Sequence, residues 1–526
     1  MITSLRHSCG TAPAPVLRRP NTDSSPPRRP AQQTSIASLP AEILLHVFHF
    51  AQDDHDSHFP SEHPADSIFP FFRRRLNPSV ALSHTSRNWR TLALCDTRLW
   101  RTLHLDGEID EGRAEAKALL WAERATADAA HAADGPSGVS GLVVTRAQDW
   151  SPDEFAYLCD ALDLMDLVQL RRARISWHGG GVAADEQRQL QSFLSLLVSS
   201  ASTLASLTIH TPAHLRILFS LPRIGHTFAR LEDLEIRSCK SSTPSTDVYL
   251  VPSFLPRFAG EQDWAPLAHL RRLVLVGPIW RLRFADGTVV SPVLGWEDVP
   301  ALEYAHLGAT TPPTHWALLS HASGTLRHLV LENFVSDHRH LEDPDVATVF
   351  PRLLSLELVN SAPLATRLLD LAVGCRPPSS SSRSASPGPP ARAAALVTLP
   401  HLRALSLAGT LLRPSHLALF TRQTTPVLER LDLRLTLPLE HDAQLALPRH
   451  LSERLHTLVL PARAWVAPSE VVELLERGGA PALNRLEWSC GAARGAEVDG
   501  RGEKAWSALQ RWTLRDRGVE LVLEDG

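Results

Sequence analysis

The chain has 526 residues, of which 84 are Leu, and its 40 Pro outnumber its 27 Gly. A formal net charge of −4 supplies no bulk positive field, so nucleic acid and anionic membrane surfaces are excluded as partners held by charge alone. The six cysteines, Cys9, Cys95, Cys159, Cys239, Cys375 and Cys490, stand far apart without a CxxC. That spacing argues against a zinc ribbon or a disulfide framework and for a reducing compartment, cytoplasmic or nuclear. No run of apolar residues reaches the length of a membrane span.

Residues 1–35 are rich in Pro, Ser and Arg and have no apolar period, so they read as a disordered arm. Residues 36–105 read as a helical module. Its first helix begins near Pro40, tolerated in a first turn because its missing N–H would find no partner there. Ile43, Leu44, Val47 and Phe48 then recur at helical spacing and make one apolar stripe. An inserted polar loop is expected over 52–77, followed by a second helix from about Pro78 with Val80, Leu82, Trp89, Leu92 and Ala93 apolar.

From residue 106 to 526 a repeat takes over. The motif LxxLxL, or a close variant, starts at Leu204, Leu231, Leu270, Leu302, Leu326, Leu353, Leu402, Leu428, Leu455 and Leu483. The spacings run from 24 to 49 residues and centre near 27, enough for a strand, a helix and two turns. Alternate leucines would point into a stack of short parallel strands. The longest spacing holds the Pro, Ser and Arg run 376–392, read as a disordered insertion. Leu142 to Val144 and Leu170 to Ile175 are degenerate candidate units. Helices are expected at Trp316 to Ser323, Leu364 to Val373, His416 to Arg422 and Ser469 to Arg477, the last with Ser469 as its N-cap. A capping box, Ser151-Pro152-Asp153-Glu154, starts another. At the end, Trp506 to Leu514 reads as a helix and Val519 to Leu523 as a strand that closes the stack. The fold class is therefore α/β: a three-helix module followed by a solenoid of about ten or more units.

The series Ser38-Leu39-Pro40-Ala41-Glu42-Ile43-Leu44, then Ser86-Arg87-Asn88-Trp89-Arg90, then Leu99-Trp100, resembles the F-box of fungal F-box-like proteins. The array is similar to the leucine-rich repeats that commonly follow that module. The usual Asn or Cys after LxxLxLxx is present only as Cys239, which predicts uneven curvature. The connection between the first two helices is also longer than in most members. The resemblance implies a substrate-recruiting subunit of a cullin-type, SCF-like ubiquitin ligase. Leu39, Pro40, Ile43, Leu44, Val47, Phe48, Leu82 and Trp89 would dock a Skp-type adaptor, and the repeats would bind a target protein. The physical requirement is a helix with more apolar surface than a small module can bury.

Candidate target contacts lie at the second and third motif positions, expected on the concave side. They are Arg271, Arg272, Arg327, His328, Arg403, Arg430 and Arg485, interspersed with Glu232, Asp233, Glu303 and Glu429. The signs are mixed, and no single-sign rail emerges. His46, His49, His55, His58 and His63 cluster near Asp53, Asp54, Asp56 and Glu62, but a loop fixes no ligand geometry, so no metal or cofactor is expected. HExxH, GxSxG, GxxxxGK and GxGxxG are absent, and no enzymatic activity is expected. The alternative reading is a non-catalytic interaction scaffold without a ubiquitin link, its helical module only a cap on the array. The scarcity of lysine, Lys117, Lys240 and Lys504 alone, matches a general preference for Arg, Ala and Pro.

Overall fold

The computed structural model describes residues 39–57, 78–106, 113–126, 138–146, 157, 159–160, 162, 170–177, 197–212, 228–239, 268–276, 282–283, 289–290, 300–308, 322–332, 348–359, 397–408, 427–433, 453–461, 468–476, 480–489 and 506–524. The helices are α1 Ala41–Ser57, α2 Pro78–Ser83, α3 Arg87–Cys95, α4 Arg113–Thr126, α5 Pro468–Glu476 and α6 Ala508–Asp516. The strands are β1 Thr102–Asp106, β2 Gly141–Arg146, β3 Arg172–Trp177, β4 Ser206–Pro212, β5 Asp233–Cys239, β6 Arg272–Val276, β7 Leu282–Arg283, β8 Val289–Val290, β9 Tyr304–Gly308, β10 His328–Glu332, β11 Thr348–Val349, β12 Ser355–Val359, β13 Val397–Thr398, β14 Ala404–Ala408, β15 Arg430–Asp432, β16 Thr457–Pro461, β17 Arg485–Ser489 and β18 Glu520–Glu524.

Fourteen strands form one sheet in chain order, β1-β2-β3-β4-β5-β6-β9-β10-β12-β14-β15-β16-β17-β18, and every pair in it is parallel. Parallel neighbours with equal register give an open solenoid, since each unit repeats the last with a sideways step. Leu207 faces Leu234, Leu234 faces Leu273, and Leu329 faces Leu356, so the fourth motif position forms one buried ladder. Ile209, Ile236, Leu307, Leu331, Leu358 and Leu407 form a second, and the leading leucines from Leu204 to Leu483 a third. At ~25 cal/mol per Å2 of apolar area, these ladders are the main driving force of the array.

A backbone ladder binds the turns that enter each strand. The carbonyl of each second-position residue from Arg171 to His456 accepts two amides from the next unit. Arg171 accepts from Ala205 at 2.8 Å and Ser206 at 3.0 Å, and Glu303 accepts from Arg327 at 2.7 Å and His328 at 3.0 Å. Close approach at the strand ends explains two glycines. A Cβ at Gly141 would lie 2.9 Å from Thr102 Oγ1, and one at Gly308 would lie 2.9 Å from Val276 Cγ1 and 3.1 Å from its Cα.

Several boundaries differ from the sequence expectations. Helix α1 runs on to Ser57, past the expected loop start at Gln52, because Gln52 is itself buried one turn beyond Phe48. The expected second helix is divided into α2 and α3 at Ser86, whose extended backbone and side-chain oxygen, accepting from the Trp89 N–H, make it an N-cap. The expected boundary at 105 falls inside β1, a strand of the solenoid sheet that pairs with β2. Both degenerate candidates are full strands, β2 and β3. Helix α5 begins at Pro468, which places Ser469 inside its first turn. Helix α6 is capped by Ser507 in a capping box with Gln510. It ends in a Schellman arrangement: Val519 N–H donates to Leu514 at 2.8 Å, Gly518 N–H donates to Arg515 at 2.9 Å, and Gly518 has φ 74°. The 1–35 arm, the 376–392 insertion, the Ser151 box and the helices at Leu364 and His416 lie outside the described residues. Of the Trp316 helix only Ala322 and Ser323 are described.

Candidate protein-docking site

Helix α1 divides the expected stripe into two faces. Leu44 and Phe48, one turn apart, are fully buried, and Phe48 packs on Trp89 with ring centroids 5.0 Å apart. Leu82 and Trp89 are half-buried against the same core. These two buried side chains of the stripe hold the module together and are not surface. On the neighbouring face Leu39, Ile43, Val47 and Phe50 are 38%, 47%, 44% and 74% exposed. Their spacing of four, four and three residues aligns them along one side of the helix. Pro40 is exposed beside them, and its carbonyl accepts from both Ile43 and Leu44 at 3.1 Å, which fixes the first turn. Phe50 lay outside the stripe expected from sequence; its position three residues after Val47 is the signal that identifies it.

The remaining motif residues brace this face. His49 Nε2 lies 2.6 Å from the Asp96 carboxylate, tying α1 to the C-terminal end of α3. Arg90 Nε–H donates to the Ser83 carbonyl at 2.8 Å and ties α3 to α2. Leu99 and Trp100 are buried, and Trp100 donates to the Ala93 carbonyl at 2.7 Å while stacking edge-on to Trp121, 4.9 Å away. Trp121 in turn donates to the Thr102 carbonyl in β1 at 3.0 Å. The module and the solenoid therefore share one continuous hydrophobic core.

The second surface is the sheet face opposite the leucines. Its centre is Glu235, buried in β5. His210 Nε2 lies 3.2 Å from it, while Arg237 donates at 2.6 Å and Arg272 at 2.8 Å. Arg272 also donates to Asp233 at 2.8 Å and lies 5.3 Å from the Tyr304 ring centre. Burial alone would raise the Glu235 pKa. The His210 hydrogen bond and the two guanidiniums outweigh it and hold the carboxyl well below the usual range. Burial pushes the His210 imidazole below its ordinary value. Burial also raises the Tyr304 hydroxyl, with Arg272 opposing. A second centre repeats the plan: Glu487, buried in β17, accepts from Arg485 at 2.9 Å and from Arg430 at 3.3 Å. Burial opposes its ionisation, and the two arginines overcome this and lower its pKa.

Of the expected target contacts, Arg272, Arg430 and Arg485 are thus committed to buried acids. Arg327 pairs with Glu303 at 3.6 Å and Arg403 with Glu429 at 3.8 Å, as exposed pairs worth little individually. Arg271 is exposed, and His328 lies 6.3 Å from Tyr304, ring centre to ring centre. The acids that organise the face, Glu235, Asp432 and Glu487, occupy the fifth motif position; continuing the strand alternation past the third position would have found them. Among the described residues no group of three or more His, Cys, Asp or Glu is placed to hold a metal. The side chains of residues 53–57, and His58, Glu62 and His63 entirely, lie outside the described residues. Among the described residues no helix is long and apolar enough to cross a membrane.

The architecture defines a class: a helical module with an exposed apolar helix face, joined through a shared core to an open parallel-strand solenoid. Residues 36–106 match the family model described as F-box-like, so the chain carries an F-box-like domain that ends in the first strand of the solenoid. F-box-like domains generally bind Skp-type adaptors. No curated protein matches the chain. Among solved structures, the chain is similar to a crystal structure of a protein from Bacteroides fragilis at 10% identity, covering 74% of each chain with a TM-score of 0.26, a likeness too slight to inform on fold or function.

Proposed function

We propose that the protein is the substrate-recruiting subunit of a cullin-type ubiquitin ligase, acting inside the cell, with its strands serving as leucine-rich repeats. The observation that carries this reading is the row of exposed apolar side chains Ile43, Val47 and Phe50 on α1, with Leu39 just before it, inside the F-box-like match. Covering such side chains with a partner removes apolar area from water at ~25 cal/mol per Å2 before the costs of association, which gives a surface of this kind reason to be occupied. Leu39, Pro40, Ile43 and Val47 would contact the Skp-type adaptor, and Leu44, Phe48, Leu82 and Trp89 would hold the helix in position. The open sheet face would bind the target through Arg271, Arg327, Arg403 and the outer edges of Arg272, Arg430 and Arg485.

The shared core gives the arrangement a purpose. A target on the sheet would be held at a fixed position relative to the adaptor, and the contribution is proximity and orientation, with the chemistry supplied by the rest of the ligase. The helical module also covers the N-terminal end of the array, so capping and docking use different faces of the same helices.

The test is capture of a purified Skp-type adaptor by the full chain and by two double variants, Leu39→Ala/Pro40→Ala and Ile43→Glu/Val47→Glu. Capture should fall by about tenfold or more with the thermal midpoint unchanged, since these side chains are exposed. Undiminished capture by both variants, or none by the wild type, would remove the ubiquitin assignment.

A further inference from the structure

The acids on the open sheet face between β5 and β17 are compensated one by one, with a single exception among the described residues. Asp233 and Glu235 each accept from Arg272 at 2.8 Å, and Glu332 lies 3.1 Å from His306. Asp432 lies 3.8 Å from Arg430, and Glu487 accepts from Arg485 at 2.9 Å. Glu357, at the fifth motif position of β12, is half-buried and has neither a hydrogen bond nor an ion pair among the described residues. In register it stands between Val330 of β10 and Ser406 of β14. A carboxylate partly withdrawn from water without a partner is destabilising. This position is left uncompensated where its neighbours on the face are not.

Its surroundings suit a cation supplied from outside. Strands β9, β10, β12 and β14 contain no Lys or Arg, and their acids are Glu332 and Glu357. Arginines stand on β5 and β6 at one flank and on β15 and β17 at the other, so the middle of the face is its negative part. Beside Glu357 the side chains are short, Ser355 on its own strand and Ala404 and Ser406 on the next, which lets a visiting group come close. On the other side Tyr304 and His328 pair with ring centres 6.3 Å apart, and the Arg272 guanidinium lies 5.3 Å from the Tyr304 ring. The Glu357 charge reaches this pair: burial is the main cause of the raised Tyr304 hydroxyl pKa, and Glu357 adds to it.

We infer that the middle of the sheet receives an arginine or lysine side chain of the target protein, its charge on Glu357 and its stem along His328 and Tyr304. A single carboxylate suits a guanidinium or an ammonium, whereas a metal ion would need several ligands. The inference rests on the sheet being the target-binding face and adds the chemistry of its central contact. Acidic residues of the target would fall to the arginines on either flank.

The probe is a phage-displayed library of random peptides selected on the full chain, the enriched peptides then being synthesised with fluorescein and titrated by fluorescence anisotropy. They should share an Arg or Lys whose replacement by Gln weakens binding by about tenfold or more. Glu357→Gln should weaken the parent peptides comparably. Glu357→Arg should prefer the peptide whose basic residue is changed to Glu, a rescue that a merely structural role would not give. Ser406→Arg sets a cation opposite Glu357 on the neighbouring strand and should block the peptides without lowering the thermal midpoint. Peptides that lose binding to Arg271→Glu/Arg403→Glu but keep it to Glu357→Gln would leave the sheet as a target-binding face and overturn the inference. Enrichment without basic residues, or no enrichment, would overturn it as well. So would self-association in sedimentation that Glu357→Gln abolishes, which would assign the site to a second copy. Failed adaptor capture, by contrast, would remove the ubiquitin reading and leave this result standing.

Discussion

Glu235 shows how single residues set the character of the open face. A buried carboxylate that accepts from His210, Arg237 and Arg272 is favourable while those partners remain, and neutralising it removes the charge that balances Arg237 and leaves Arg272 only Asp233. Glu235→Gln should therefore lower stability at pH 7 by about 3 kcal/mol, measured by urea unfolding with Trp fluorescence. Its folded pKa lies below the unfolded value near ~4.3, so this contribution is complete above that pH and is lost as pH falls toward the folded value. The gap between wild type and variant should narrow below about pH 4.3. His210 acts at higher pH. Burial depresses its pKa, so the fold favours neutral imidazole and loses stability as pH falls below about 6.5, a loss that His210→Gln should remove. A wild type whose stability is flat from pH 7.5 to 5.5, or a variant that retains the same slope, would contradict this account of the cluster.

At the level of the strand, the pattern is carried by the leucines and limited by backbone approach. Gly308→Ala would force a Cβ against both the side chain and the Cα of Val276 and should cost about 1–2 kcal/mol. Gly324→Ala, with nothing within 4 Å of the added carbon, should change stability by under about 0.5 kcal/mol. Equal effects on the thermal midpoint would show that strand packing at Gly308 is looser than these distances imply. All ten LxxLxL starts precede strands of the sheet, so the array was legible from leucine spacing. Strand β1 was not, because Thr102-Leu103-His104-Leu105 directly follows the Leu99-Trp100 pair and has only two leucines to mark it. The division of the α1 stripe was not legible either. Residues 43, 44, 47 and 48 are all apolar, and only the positions of α3 and Trp89 decide which pair turns inward. The charge network was read in half: arginines at the third position stood out, whereas their acidic partners at the fifth position lie in another strand for Arg272 and Arg430 and two residues on in the same strand for Arg485.

The whole molecule joins two surfaces through one core. Helix α1, the Trp100 and Trp121 pair and β1 connect the F-box-like module to a sheet of fourteen strands without an intervening hinge among the described residues. A repeat array bends through many small contacts and not at one joint, so an object bound along the sheet would keep its distance from whatever holds α1. The central claim is that the exposed row on α1 is an adaptor-docking surface. Hydrogen–deuterium exchange of the full chain, with and without a purified Skp-type adaptor, tests it most directly. The account predicts slowed exchange over Leu39 to Phe50, with amides of β10 to β14 in the sheet unchanged. Unchanged exchange along α1 at saturating adaptor, or protection confined to the sheet, would contradict it.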